Sequence, residues 1–173
     1  MSDCLNSVAV DGGSFLGRGG TKFVRRGFSE GKEVAILYNC TALEIEILEK
    51  LKQSLYGLNM IRYMGQGVML TELAPHGSVR DLQDTLEFEN QKITTRHVCA
   101  MRRCIFYGLE ELWELGYIHN DIAARNILVF HYVQELPDET FVKISDFGEC
   151  VESTAYERDI ASLCALVLEL SNA

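Results

Sequence analysis

The sequence predicts an α+β fold in two lobes, an antiparallel sheet carrying one helix followed by a helical part. Two observations predict it. Up to Glu72 the apolar residues fall in short runs bounded by turn residues, whereas from Thr94 to Gly116 they recur every three to four positions. Only one stretch of the first part, Ala42 to Lys52, carries helical spacing, with Leu43, Ile47, Leu48 and Leu51 on one face.

In chain order, five segments read as strands of one antiparallel sheet: V-A-V near Val8, Lys22 to Arg25, V-A-I-L from Val34, M-I-R-Y-M from Met60 and V-M-L-T-E from Val68. The single helix interrupts them after the third. The division between lobes is expected at Leu73 to Gly77, giving 1–74 and 75–173 within one domain. Beyond it, Val98, Met101, Ile105, Leu109, Leu112 and Leu115 line one face of a long helix. Thr94 or Thr95 serves as its N-cap and Gly116 as its stop, with Phe106 and Trp113 packed beside it. Ile118, Ile122, Ile127, Leu128 and Val129 read as short buried segments, His131 to Thr140 as a long hairpin, and Arg158 to Leu170 as a strongly apolar helix.

The chemistry concentrates in G-Y-I-H-N-D-I-A-A-R-N-I-L-V, from Gly116, and in V-K-I-S-D-F-G, which ends at Gly148. Asp121 can accept a proton from an attacking hydroxyl. Asn126 and Asp146 offer hard oxygen donors to Mg2+ bridging nucleotide phosphates, and short apolar segments hold all three on loops.

These motifs resemble the eukaryotic-type protein kinases, and the resemblance extends through most of the chain. F-L-G-R-G-G-T-K-F-V, from Phe15, is similar to the glycine-rich loop that caps ATP, with Gly17 and Gly19 allowing backbone approach to phosphate. T-E-L-A-P-H-G-S-V-R-D-L, from Thr71, resembles the hinge and following helix. The resemblance implies a bilobal protein-kinase-like fold binding ATP and Mg2+ between the lobes. Leu16, Val24, Ala35 and Leu128 would sandwich adenine, Thr71 would back the slot, and Glu72, Leu73 and Ala74 would offer backbone hydrogen bonds. It further implies that His119 stacks with Phe147, Leu48 and Tyr63, and that Asp159 braces the catalytic loop.

The departures carry as much information. Leu37 stands where the family has its phosphate-binding lysine, and an apolar side chain cannot grip phosphate. Lys22 in the glycine loop resembles the arrangement of the with-no-lysine kinases and would supply the cation from the neighbouring strand, with Glu44 as its anion. An ordinary exposed strand lysine, beside Arg18, Arg25 and Arg26, is the other reading. Asn120 replaces the arginine that would engage a phosphorylated activation loop, so switching by that route is not expected. A-A-R, ending at Arg125, resembles the tyrosine-kinase loop and makes Arg125 a candidate for steadying the transferred phosphoryl group. Only ten residues separate Gly148 from Asp159, far fewer than the family's activation segment. With the chain stopping at Ala173, a truncated helical lobe is expected, whose last helix leaves apolar surface for a partner protein or a homodimer.

Composition narrows the classes further. A net charge of −9 argues against nucleic acid or anionic membrane as a partner, and the last apolar segment, broken by Arg158, Asp159 and Glu169, predicts no membrane span. Six cysteines without a C-x-x-C pair, together with no secretory signal, predict reduced core residues in a cytoplasmic protein. His76, His97 and His131 lack ligand spacing and are expected at the surface. Two functional readings follow. One is a minimal, partner-dependent protein kinase phosphorylating a protein hydroxyl; the other is a pseudokinase that binds nucleotide weakly or not at all and acts through protein contacts.

Overall fold

The computed structural model describes residues 8–19 and 22–172. They form two compact units: Met1–Lys52 with Asn59–Leu73, and Gln53–Leu58 with Ala74–Ala173.

The first unit is an antiparallel sheet in the order β1-β2-β3-β5-β4, made of β1 (Ala9–Gly19), β2 (Lys22–Ser29), β3 (Lys32–Tyr38), β4 (Met60–Gly65) and β5 (Val68–Glu72). Glu30 and Gly31 close the β2–β3 hairpin with φ of 52° and 76°, the two positive values that a two-residue turn needs to match strand twist. Alternation sorts the side chains. Val34, Ile36 and Leu70 pack on one face with Val8, Tyr38 and Val68. Ala35 lies opposite Thr71, and Leu37 opposite Met69, on the other face, all buried. Helix α1 (Ala42–Lys50) is two residues shorter than its apolar spacing suggests. Its cap is Thr41, whose side chain accepts from Glu44 N at 3.1 Å, and it buries Glu44, Ile47 and Leu48.

The second unit begins with Gln53–Leu58, which leaves the first part of the sequence to join the helical one. Its reasons are backbone pairing and aromatic packing. Within the hairpin of β7 (Ile127–His131) and β8 (Phe141–Ile144), Ile144 N donates to Tyr56 O and Ile144 O accepts from Leu58 N, both at 2.9 Å. The Tyr56 ring lies 5.3 Å from Tyr107 and 5.8 Å from Phe141.

Helix α2 (Val79–Phe88) starts at a capping box of Ser78 and Asp81. Helix α3 (Thr95–Glu114) starts at one of Thr94 and His97, and buries Val98, Met101, Ile105, Leu109 and Leu112. Gly108 lets α3 approach β8, since a Cβ there would lie 2.9 Å from Ile144 Cδ1 and 3.0 Å from Tyr56 O. Strand β6 (Tyr117–Ile118) pairs with β9 (Val151–Glu152). Helix α4 (Glu157–Asn172) buries Asp159, Leu163, Leu166 and Leu170 and leaves Ile160 and Leu168 exposed.

Three expectations are corrected. His97 is fully buried rather than superficial: Nδ1 meets Thr94 Oγ1 at 2.7 Å, Nε2 meets Val133 O at 3.2 Å, and the ring stacks on Tyr132. Cys40, Cys104 and Cys150 are buried, but Cys99 and Cys164 are exposed because they fall on the outer faces of α3 and α4; Cys4 lies outside the described residues. Tyr63 is exposed rather than part of a buried column, and its hydroxyl accepts from Gly67 N at 3.4 Å.

Candidate active site

Two constellations, one in each unit, carry the polar chemistry. In the second unit, buried Tyr117, Ile118, Ile127, Val129, Val142 and Ile144 fix the strands on either side of the loop containing Asp121. His119 is the hub beneath it. It is fully buried; its Nδ1 accepts from Asp121 N at 3.3 Å and its Nε2 donates to Ser145 O at 3.0 Å. That pattern requires the neutral Nε2–H tautomer. Burial holds its pKa below the ordinary value, against the opposing pull of the Ser145 carbonyl and of Asp159, Asp146 and Asp121. Phe147 meets the imidazole edge to face at 5.4 Å.

The main chain around His119 is held by a buried carboxylate. Asp159 Oδ2 accepts from His119 N at 2.8 Å and Oδ1 from Asn120 N at 2.9 Å. Asn120 has φ of 65°, a left-handed conformation that asparagine tolerates better than arginine. This turn presents Asp121. Arg125 Nη2 donates to both of its carboxylate oxygens, at 2.6 and 2.8 Å. Asn126 Nδ2 donates to Asp121 O at 2.8 Å and Oδ2 at 2.7 Å. With the amide nitrogen committed to Asp121, Oδ1 is the donor atom that Asn126 has left to offer. Ser145 N and Oγ both donate to Asn126 O at 2.9 Å, tying this loop to the segment that ends in Asp146. Asp146 itself adopts φ 62° and ψ 71°, a left-handed conformation separated from the end of β8 by Ser145.

In the first unit the charges are an ion pair. Lys22 Nζ donates to Glu44 Oε1 at 2.6 Å, with side-chain exposures of 14% and 1%. The sheet register explains how a lysine from β2 comes to stand beside Leu37. Val24 is opposite Leu37, so Lys22, two residues earlier, projects from the same face beside buried Leu37. Glu44 faces it because it is the third residue of a helix whose start is fixed by Thr41.

On that sheet, Leu16 is exposed, Val24 half-buried, and Ala35 and Thr71 buried. Gly17 pairs with Val24 and Gly19 with Lys22, while Gly20 and Thr21 lie outside the described residues. Glu72 N–H donates to Asn59 O at 3.1 Å, and Glu72 O accepts from Thr71 Oγ1 at 3.2 Å. Leu73 is the last residue of the first unit and Ala74 belongs to the second, both half-buried. Leu128, half-buried in β7, bridges to Ser78. Among the described residues no three His, Cys, Asp or Glu side chains form a metal site, and no helix is long and apolar enough to cross a membrane.

Sequence reasoning missed Ser145 and Trp113. Ser145 acts partly through its carbonyl, which no residue type encodes. Trp113 Nε1 donates to Asp159 Oδ2 at 3.0 Å; its one signal is being the chain's single tryptophan, six residues before His119.

The chain is 32% identical over 108 residues to the serine/threonine-protein kinase pakG of Dictyostelium discoideum, covering 61% of this chain and 8% of that protein. It is 35% identical over 82 residues to human (Homo sapiens) ephrin type-A receptor 8, covering 47% and 7%. The chain thus spans less than a tenth of either relative's length. The crystal structure of the BubR1 kinase domain shares its fold, with a TM-score of 0.73 at 17% identity, covering 95% of this chain and 64% of that one. The family model described as protein tyrosine and serine/threonine kinase matches residues 35–163, and the chain belongs to that family.

Proposed function

We propose that the chain is a catalytically competent protein kinase domain that transfers the γ-phosphoryl group of ATP to a protein hydroxyl. The observation that carries this reading is the Lys22–Glu44 pair. A half-buried cation and a buried anion, 2.6 Å apart, supply beside Leu37 the charge that Leu37 lacks. In this reading Lys22 binds the α- and β-phosphates and Glu44 orients it. Gly17 and Gly19 approach the phosphates, while Leu16, Val24, Ala35, Thr71 and Leu128 enclose adenine. The backbone from Glu72 through Leu73 to Ala74 would offer the hydrogen bonds, with the Glu72 N–H already committed to Asn59.

The Asn126 and Asp146 oxygens suit Mg2+, which keeps waters and phosphate oxygens as most of its ligands and needs only one or two from protein. Bound there, Mg2+ would neutralise charge on the transferring phosphates. Asp121 accepts the hydroxyl proton as the new oxygen–phosphorus bond forms and the bond to the β-phosphate breaks, releasing ADP. Arg125 steadies both the carboxylate and the phosphoryl group.

One observation favours the alternative of a pseudokinase acting as an interaction module. Arg125 engages both oxygens of Asp121, the atoms a base needs. The pair is exposed, however, and solvent competes for it, so it is no lock. Exposed Ile160 and Leu168 support a protein contact on α4, with a partner or a second copy, and six cysteines without a C-x-x-C pair support a reducing cytoplasmic setting.

The test is ATP turnover and autophosphorylation with Mg2+, comparing wild type with K22M and D146A. Loss of two or more orders of magnitude in both supports the enzyme. Turnover by D146A equal to wild type would establish the interaction module instead.

A further inference from the structure

Asp159 is fully buried, and a carboxylate without water must have its oxygens satisfied by protein donors. Two of its three donors are the main-chain N–H groups of His119 and Asn120; the third is the Trp113 indole, at 3.0 Å on Oδ2. The indole therefore shares its acceptor atom with His119 N.

The indole is itself held on two sides. Tyr156 stacks on it with centroids 5.0 Å apart and planes at 25°, and Phe106 meets it edge-on at 6.0 Å and 86°. Tyr156 lies in the ten-residue interval between Gly148 and Asp159. The same interval is fixed at three further points: β9 pairs with β6, Ser153 N donates to Gly116 O at 3.1 Å, and Asn120 Nδ2 donates to Glu149 O at 3.4 Å. None of these contacts involves a formal charge or a modified residue.

We infer that Trp113 and Tyr156 are positioning residues for Asp121, so that the short interval acts as a permanent clasp on the catalytic loop in place of a phosphorylation switch. Tyr156 keeps the indole plane in register with Asp159. The indole N–H keeps the carboxylate turned toward His119 N and Asn120 N. Those two bonds sustain the left-handed conformation at Asn120, and that conformation aims Asp121. Loss of the indole N–H loosens Oδ2 and lets the turn relax, displacing Asp121 with no change in any group that holds nucleotide.

The inference rests on the kinase reading, so its test has one arm that needs no activity. In W113F, W113H, Y156A and Y156F, the amide proton shifts of His119 and Asn120 report their bonds to Asp159, and kcat and KM for ATP are measured alongside. W113F and Y156A are expected to move both amide signals upfield and to lower kcat about tenfold or more with KM for ATP within twofold. W113H, which keeps a ring N–H, and Y156F, which keeps the stacking ring, are expected to restore both readouts. Unmoved amide signals in folded W113F and Y156A overturn the inference, as does an equal loss in W113F and W113H. A wild type without phosphotransfer would remove the kinase reading, while the amide arm would still decide whether the clasp holds the loop.

Discussion

Lys22 Nζ and Glu44 Oε1 lie 2.6 Å apart, and Glu44, only 1% exposed on α1, takes its partner lysine from β2 rather than β3. Removing the cation from so buried a carboxylate costs about 3 to 5 kcal/mol, whereas replacing both partners by apolar groups of similar volume is close to neutral. K22M is therefore expected to lower the unfolding free energy by about 3 kcal/mol, and K22M/E44M to recover most of it. Both remain inactive if the pair serves phosphate. Urea unfolding and ATP turnover, run side by side, separate the two effects. A K22M/E44M double variant that recovered turnover together with stability would show that the pair is structural only.

Moving the charge between strands tests the register directly. Leu37 is opposite Val24 on the face from which Lys22 projects, so a lysine at 37 starts from the same surface of the sheet. K22M/L37K is expected to regain at least about tenfold in kcat/KM over K22M, corresponding to about 1.4 kcal/mol of transition-state stabilisation. L37K alone places two cations together and is expected to lose stability. Turnover of K22M/L37K no better than K22M would mean that Lys22 does not act on phosphate.

Much of this was legible in the sequence because it depends on residue type at fixed spacing. The five strands, the long helix capped at Thr94 and the order of Asp121, Asn126 and Asp146 follow from apolar periodicity and from side chains whose chemistry is explicit. Less legible were contacts that depend on main-chain atoms. Gln53–Leu58 joins the second unit through Tyr56 O and Leu58 N, which any residue could supply. His97 reads as superficial because nothing near it in sequence shows Val133 O within reach of its Nε2. Trp113 was read as packing because its indole partner lies 46 residues away.

His119 gives the chain a defined acid limit. Its folded-state pKa lies below the ordinary histidine value of 6.5, so as pH falls below 6.5 the unfolded chain takes up a proton that the folded chain refuses. Stability attributable to this group is therefore complete above that pH and is lost as pH falls toward the folded value, at up to about 1.4 kcal/mol per pH unit. Melting temperatures between about pH 7 and pH 5 are expected to fall more steeply for wild type than for H119Q. Gln retains a donor for Ser145 O and an acceptor for Asp121 N without titrating in that range. Parallel curves for the two proteins would mean that His119 is not held neutral by burial.

Asn126 separates metal binding from folding. Its nitrogen is committed to Asp121 while its oxygen remains to be offered, and the described residues include no cluster of three or more His, Cys, Asp or Glu that would hold a metal unaided. Metal removal should therefore leave the fold intact: EDTA is expected to abolish phosphotransfer with no change in melting temperature. N126A deletes the oxygen proposed to hold Mg2+ and both bonds to Asp121 together, so it is expected to raise the Mg2+ concentration for half-maximal activity and to lower kcat about a hundredfold. N126D keeps an oxygen donor but sets a second carboxylate against Asp121 Oδ2, 2.7 Å from the present nitrogen. It should therefore bind Mg2+ while kcat falls, because the amide donor that orients the base is gone. A Mg2+ dependence identical in wild type, N126A and N126D would take Asn126 out of the metal site.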